Sequence, residues 1–124
     1  MKRFLTSMLV VSLLFAVQGC SSAKRASRTA ETDALLRAAR AGNADTVRSL
    51  LASPNVDVNG VDDNGNTPLI EAARFGHDDV VTALLIAKAD VKAQNAQGKT
   101  ALMLASEGGH EESVRMLLQA GAGK

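Results

Sequence analysis

The chain repeats itself at an interval of 33 residues, and no other feature restricts its fold as tightly. The stretch Gly65-Asn66-Thr67-Pro68-Leu69-Ile70-Glu71-Ala72-Ala73-Arg74-Phe75-Gly76-His77 returns as Gly98-Lys99-Thr100-Ala101-Leu102-Met103-Leu104-Ala105-Ser106-Glu107-Gly108-Gly109-His110. The same shift lines up Val81 with Val114, Leu84-Leu85 with Leu117-Leu118, and Ala87 with Ala120. A fixed period of this size belongs to stacked structural units, each unable to bury its apolar face alone.

Local chemistry predicts what each unit contains. Asp62-Asp63-Asn64-Gly65 carries the residues of a tight reversal. Thr67 is placed to cap a helix whose first position is Pro68, where a missing N–H does no harm. Small Ala72-Ala73 lets neighbouring helices approach closely, and Gly76-His77 ends the helix. Asp78-Asp79 then puts negative charge at the start of a second helix whose buried face is Val81, Leu84 and Leu85. The first unit is expected to begin near Thr32 as N-cap, close at Gly42, and restart at Asn43 or Asp45 with Val47, Leu50 and Leu51 on one face. Ala38-Ala39 aligns with Ala72-Ala73 at a shift of 34, whereas Asp57-Val58 aligns with Asp90-Val91 at 33, so one extra residue near Pro54 should bulge into a loop.

Turn, short helix, reversal and longer helix, with Thr67-Pro68-Leu69, Ala72-Ala73, Gly76-His77, Val81, Leu84-Leu85 and Ala89-Asp90-Val91, closely resemble the ankyrin repeat. The resemblance covers residues 32–124 in three units, approximately 32–61, 62–94 and 95–124, the first similar to an N-terminal capping repeat. It implies an all-α solenoid of paired antiparallel helices with short β-hairpin-like loops. Some residues depart from the family pattern. Ile70 and Met103 stand where the family has His, and Glu71 replaces an apolar residue. Lys88 occupies a helix-ending Gly position, where a left-handed backbone costs a side chain roughly 1 kcal/mol.

The N-terminal segment reads as an address. Met1-Lys2-Arg3 is positive, and Phe4 to Val17 is apolar apart from Thr6, Ser7 and Ser12. Fourteen helical residues span roughly 21 Å against a hydrocarbon core of roughly 30 Å, which favours a removable secretory signal over a spanning helix. Val17-Gln18-Gly19-Cys20 resembles the lipobox of bacterial lipoproteins, with Gln18 bulkier than that family prefers. The resemblance implies cleavage after residue 19, acylation of Cys20, and, with Ser21 rather than Asp next, an outer-membrane address facing the periplasm. The alternative for Cys20 is an ordinary buried thiol. Residues 20–31 form the expected tether, whose Lys24, Arg25 and Arg28 either touch anionic headgroups or are simply solvated.

Composition excludes several activities. Without Lys2 and Arg3 the chain holds 12 basic against 13 acidic side chains, and it has neither Trp nor Tyr, which argues against nucleic acid as a partner. With one Cys, no internal disulfide forms. His77 and His110 share one repeat position and are expected to be structural, not metal ligands. A calcium loop needs Gly at its sixth position and Glu at its twelfth. From Asp57 those positions hold Asp62 and Pro68, and from Asp62 they hold Thr67 and Ala73. Gly98-Lys99-Thr100 lacks the earlier Gly of a phosphate loop, since residue 93 is Ala. No catalytic set, metal site or cofactor site is read, so no enzymatic activity is expected.

In ankyrin-like proteins the loop tips and the exposed side of the first helices form a concave surface for a protein partner. Mapped by motif, that surface here holds Arg37, Arg40, Asp63, Asn64, Asn66, Arg74, Phe75, Ala96, Gln97, Lys99 and Glu107. Phe75, the only aromatic beyond the N-terminal segment, either anchors the partner beside Arg74 or folds against a neighbouring repeat. Apolar atoms around Met103, Leu104 and Leu118 are expected to stay partly exposed, which favours a weak homodimer. The reading is a lipid-anchored envelope scaffold, with a periplasmic inhibitor or immunity protein as its alternative. A cytosolic chain starting downstream would leave Phe4 to Val17 unexplained.

Overall fold

In a computed structural model, residues 29–123 are described. Residues 1–28 lie outside them, and with them the secretory segment, Cys20 and residues 20–28 of the expected tether, while Ala30 and Glu31, expected in that tether, open the first helix. Six helices follow in order: α1 Ala30–Ala41, α2 Ala44–Leu51, α3 Pro68–Phe75, α4 Asp78–Ile86, α5 Ala101–Glu107 and α6 Glu111–Gln119. Among the described residues there is no strand, so the connections between repeats are turns, not paired β-ribbons. None of these helices is long and apolar enough to cross a membrane.

Capping follows from side chains already in the right place. Thr67 and Thr100 each present Oγ1 to a backbone N–H three residues on, Ile70 at 3.1 Å and Met103 at 3.3 Å. The first helix differs from expectation: it starts a turn earlier, with Thr29 as its N-cap. Thr32 sits inside the helix, wholly buried, and its Oγ1 accepts from the Asp57 N–H at 3.0 Å. A partner from the next loop makes Thr32 more useful buried than as a cap. Gly42 and Gly76 end α1 and α3 in the left-handed conformation, at φ 77° and 71°. Asn43 caps α2 by accepting from the Thr46 N–H.

The helices form two layers. Each first helix packs on the next, α1 on α3 and α3 on α5, while α2, α4 and α6 make the second layer in the same order. Leu35, Ala39, Val47, Leu69, Ala72, Ala73, Val80, Val81, Leu84, Ala105 and Leu117 are completely buried. Helix α3 lies between two others, and its residues Pro68 through Ala73 are all buried. Burial leaves no solvated face for Glu71, which is 1 % exposed.

Its charge is met from the preceding repeat. Arg40 donates from Nε to Glu71 Oε2 at 3.3 Å and from Nη2 to Oε1 at 3.0 Å, and also reaches Asp62 Oδ2 at 3.3 Å. The hydrogen bond to Glu71, then the charge of Glu71, raises the Arg40 guanidinium above its ordinary value. A raised base contributes fully below its unfolded value and fades only above its folded one. Arginine already titrates beyond ordinary pH, so the pair does not dissociate from that side in any usual buffer.

The repeats are also tied by histidine. Nε2 of His77 lies 3.0 Å from the Arg40 carbonyl, and Nε2 of His110 lies 3.2 Å from the Arg74 carbonyl. A carbonyl only accepts, so Nε2 carries the proton in both rings. Each imidazole packs on the glycine that ends the preceding first helix, where a Cβ would stand 2.5 Å from His77 at Gly42 and 2.4 Å from His110 at Gly76. The structural role expected for both histidines is the one the geometry shows.

Lys88 adopts φ 64°, and Lys88 and Ala89 close the end of α4 by donating to Leu85 and Leu84. Replacing Lys88 with Gly removes the steric cost and should raise stability by about 0.5–1 kcal/mol in urea unfolding. Arg40→Met strips the partner from a buried carboxylate and should cost about 2 kcal/mol. Adding Glu71→Leu, which copies Leu104 at the equivalent position, should recover most of that loss in the same measurement.

Candidate partner-binding surface

The loops that join the repeats are built on one side-chain device used twice. Asp62 Oδ1 accepts from the N–H groups of Asn64 and Asn66 at 2.8 and 2.9 Å. In the next repeat Asn95 Oδ1 accepts from Gln97 and Lys99 at 2.9 and 3.0 Å. The Asp62 N–H donates to the Asn66 carbonyl and the Asn95 N–H to that of Lys99, which closes each tip. The tips are stacked by the Ala96 N–H donating to the Asn64 carbonyl at 3.0 Å. The oxygen-rich run from Asp57 to Asn66 is spent on such turns, and Asn59 Oδ1 accepts from the Asp90 N–H at 2.8 Å. Among the described residues no group of His, Cys, Asp or Glu is arranged to hold a metal ion.

Between these tips and the first helices lie two adjoining clefts. The larger, about 620 Å³, is lined chiefly by Asn64, Arg74, Gln97, Lys99, Leu104 and Glu107. The smaller, about 380 Å³, is lined by Asp33, Leu36, Arg37, Arg40, Asp62, Asp63 and Asn64. Asn64 is common to both, so the clefts adjoin at that loop tip, and the two in line, a trough divided at Asn64, draw on all three repeats. No residue of α2, α4 or α6 lines either cleft.

Most residues singled out from the sequence meet here, in different states. Arg40 lines the smaller cleft with its charge already engaged by Glu71 and Asp62. Asn66 does not sit on an exposed tip: it is 4 % exposed, and its Oδ1 accepts from Asn95 Nδ2 at 2.9 Å. That amide pair joins two repeats and forms part of the floor of the larger cleft. Lys99 and Glu107 pair at 2.8 Å and both remain open to solvent. Asn64 and Gln97 expose their amides on the rim.

Phe75 lines neither cleft. It is 45 % exposed. Its ring lies 5.5 Å beneath the Arg74 guanidinium and 6.2 Å from the ring of His77. Arg74 therefore links the aromatic to the larger cleft. Met103 and Leu118 are half exposed, at 48 % and 50 %, while Leu104 faces the larger cleft.

The sequence reading left out Asp33, Leu36, Asp62, Asn95 and Gly108 as lining residues. Superposing the repeats would have found Gly108, the equivalent of Phe75, whereas Asp62 and Asn95 are equivalents of each other and were missed together. An open trough of amides and charges, formed by loops and first helices on a rigid two-layer array, is suited to holding a partner's surface.

Comparison with protein families agrees with this geometry. The model described as ankyrin repeats (3 copies) matches residues 7–95 and 35–124. A search of curated proteins finds no match. Six helices in two layers, the threonine caps, the Gly-His reversals and this match together place the chain in the ankyrin-repeat family, an all-α repeat fold that serves as a protein–protein interaction module and is typically non-enzymatic.

Proposed function

We propose that the chain is an envelope-anchored adaptor that holds one protein partner in the trough between its loop tips and first helices. The observation that carries this reading is the trough itself. Asn64, Asn66, Arg74, Gln97, Lys99 and Glu107, chosen by motif alone, all line its larger cleft. The backbone beneath them is fixed by the tip-to-tip hydrogen bond and the histidine links. A rigid platform loses little entropy on binding.

The address rests on sequence. An apolar run from Phe4 to Val17, followed three residues on by the chain's single cysteine, supports a secretory signal with acylation of Cys20. Two or more acyl chains hold a protein firmly where one alone is marginal. The array would then face the periplasm, most simply from the outer membrane. The half-exposed Met103 and Leu118 support a second use of the last repeat, as a weak homodimer contact.

Fractionation of cells tests the anchor. Wild-type chain should sediment with membranes, and Cys20→Ser should lose the acyl group and leave that fraction after release by osmotic shock. Equal membrane association of both would refute the anchor. A photo-crosslinking residue at Gln97 should capture a partner that one at Ile86, exposed on α4, does not. A captured enzyme losing activity would favour the inhibitor reading over the scaffold.

Cleft substitutions should separate binding from folding. Lys99→Ala breaks only an exposed pair, so its stability should stay within about 0.5 kcal/mol of wild type. Asn66→Ala leaves Asn95 without its buried partner and should cost about 1–2 kcal/mol by thermal unfolding.

A further inference from the structure

We infer that the larger cleft takes a carboxylate from the partner, an Asp or Glu side chain that seats against Arg74. The inference rests on the trough being the partner surface, and deepens it. It comes from comparing two interfaces built by the same chain.

At the first interface, Arg40 at the end of α1 reaches across to the next repeat and finds two acceptors, Glu71 and Asp62. Arg74 is the equivalent of Arg40, at the end of α3 and facing the third repeat. The residues equivalent to Glu71 and Asp62, one period on, are Leu104 and Asn95. Both acceptors have lost their charge, while the arginine has kept its own. Arg74 makes no ion pair among the described residues, and both Leu104 and Asn95 line the cleft beside it.

The charge around the two clefts confirms the imbalance. The smaller sets Asp33, Asp62 and Asp63 against Arg37 and Arg40. The larger sets Glu107 alone against Arg74 and Lys99, and Glu107 is engaged by Lys99 at 2.8 and 3.0 Å. Among the described residues Arg74 is the cation of this cleft without an ion pair, and the neutral amides of Asn64, Asn95 and Gln97 line the cleft with it.

A guanidinium presents parallel N–H donors that match the two oxygens of a carboxylate. One surplus charge among neutral hydrogen-bonding groups suits a single carboxylate better than a phosphate, which needs more positive charge to balance it. The exposed amides of Asn64 and Gln97 are open to the backbone on either side of the acidic residue, while that of Asn95 is engaged by Asn66, Gln97 and Lys99. The Phe75 ring, 5.5 Å from the Arg74 guanidinium, restricts it before the partner arrives.

The test uses the full chain in detergent and a displayed library of randomised peptides as the probe. Peptides selected on the wild type should share an Asp or Glu, and changing it to Asn or Gln should weaken binding at least about tenfold. Arg74→Gln should cause a similar loss. Leu104→Glu should do so as well, because it restores the internal acceptor that Arg40 already has. Selected peptides with no acidic residue, or binding unchanged in Arg74→Gln with fold retained by circular dichroism, would overturn the inference. Peptides that lack the acid yet are displaced by Gln97→Arg would overturn it while leaving the trough as the partner surface. Peptides indifferent to changes at 74, 97 and 104 alike would overturn both readings.

Discussion

Close approach of the first helices is the constraint on which everything else in the molecule depends. Helix α3 can pack against both α1 and α5 because the buried residues in this layer include alanines at 39, 72, 73, 101 and 105. Small side chains bring backbones near enough for an imidazole to span from one repeat to the carbonyl of the one before. The same proximity sets the loop tips within hydrogen-bonding distance. A larger residue at these positions would open the layer and separate the groups that line the trough. Stability is therefore held between units more than within them, as expected where each unit packs only on its neighbours.

Much of this was legible because it is local. Thr67, Pro68, Gly76 and the glycine-like demand on Lys88 act within a few residues of themselves, and the structure shows each in the role its chemistry dictates. The helix pairs followed from the period. What could not be read was non-local. Glu71 looks like a polar fault in an apolar face until Arg40, 31 residues away, is seen to meet it. Thr32 looks like a cap until Asp57 is found to donate to it, 25 residues on. Phe75 was marked by composition alone, and composition does not say that it stands outside both clefts. The mapped surface positions, Phe75 apart, gather around the two clefts. The mapping did not distinguish Arg40, engaged by two carboxylates, from Arg74, which has no ion pair among the described residues.

Polar groups in this core are tolerated only where a neighbour answers them. Ser113 is wholly buried where the second repeat has Val80, and its hydroxyl donates to Asp78 Oδ1 at 2.5 Å from the adjacent repeat. Asn66, nearly buried, accepts from Asn95 Nδ2 at 2.9 Å in the adjacent repeat. No buried side-chain oxygen or nitrogen among the described residues lacks a hydrogen bond. These contacts give little net energy individually, but each would be left unmet if the repeats slipped in register. They fix which face meets which, a task that uniform apolar packing performs poorly.

A repeated backbone also supplies its own control. Where two interfaces share helix, turn and glycine geometry, a difference between them comes from side chains and not from the frame. The first interface turns its charges inward and is satisfied without a partner. The second has exchanged the equivalent carboxylates for Leu104 and Asn95 while the cation stays at the rim. Loss of an internal pair would ordinarily weaken a repeat array. Here the cost is small, because a solvated Arg74 needs no acceptor to remain stable, whereas a buried Glu71 does need its arginine. Such an interface can be held open for an outside acceptor without endangering the fold, and that asymmetry makes the trough directional along the array.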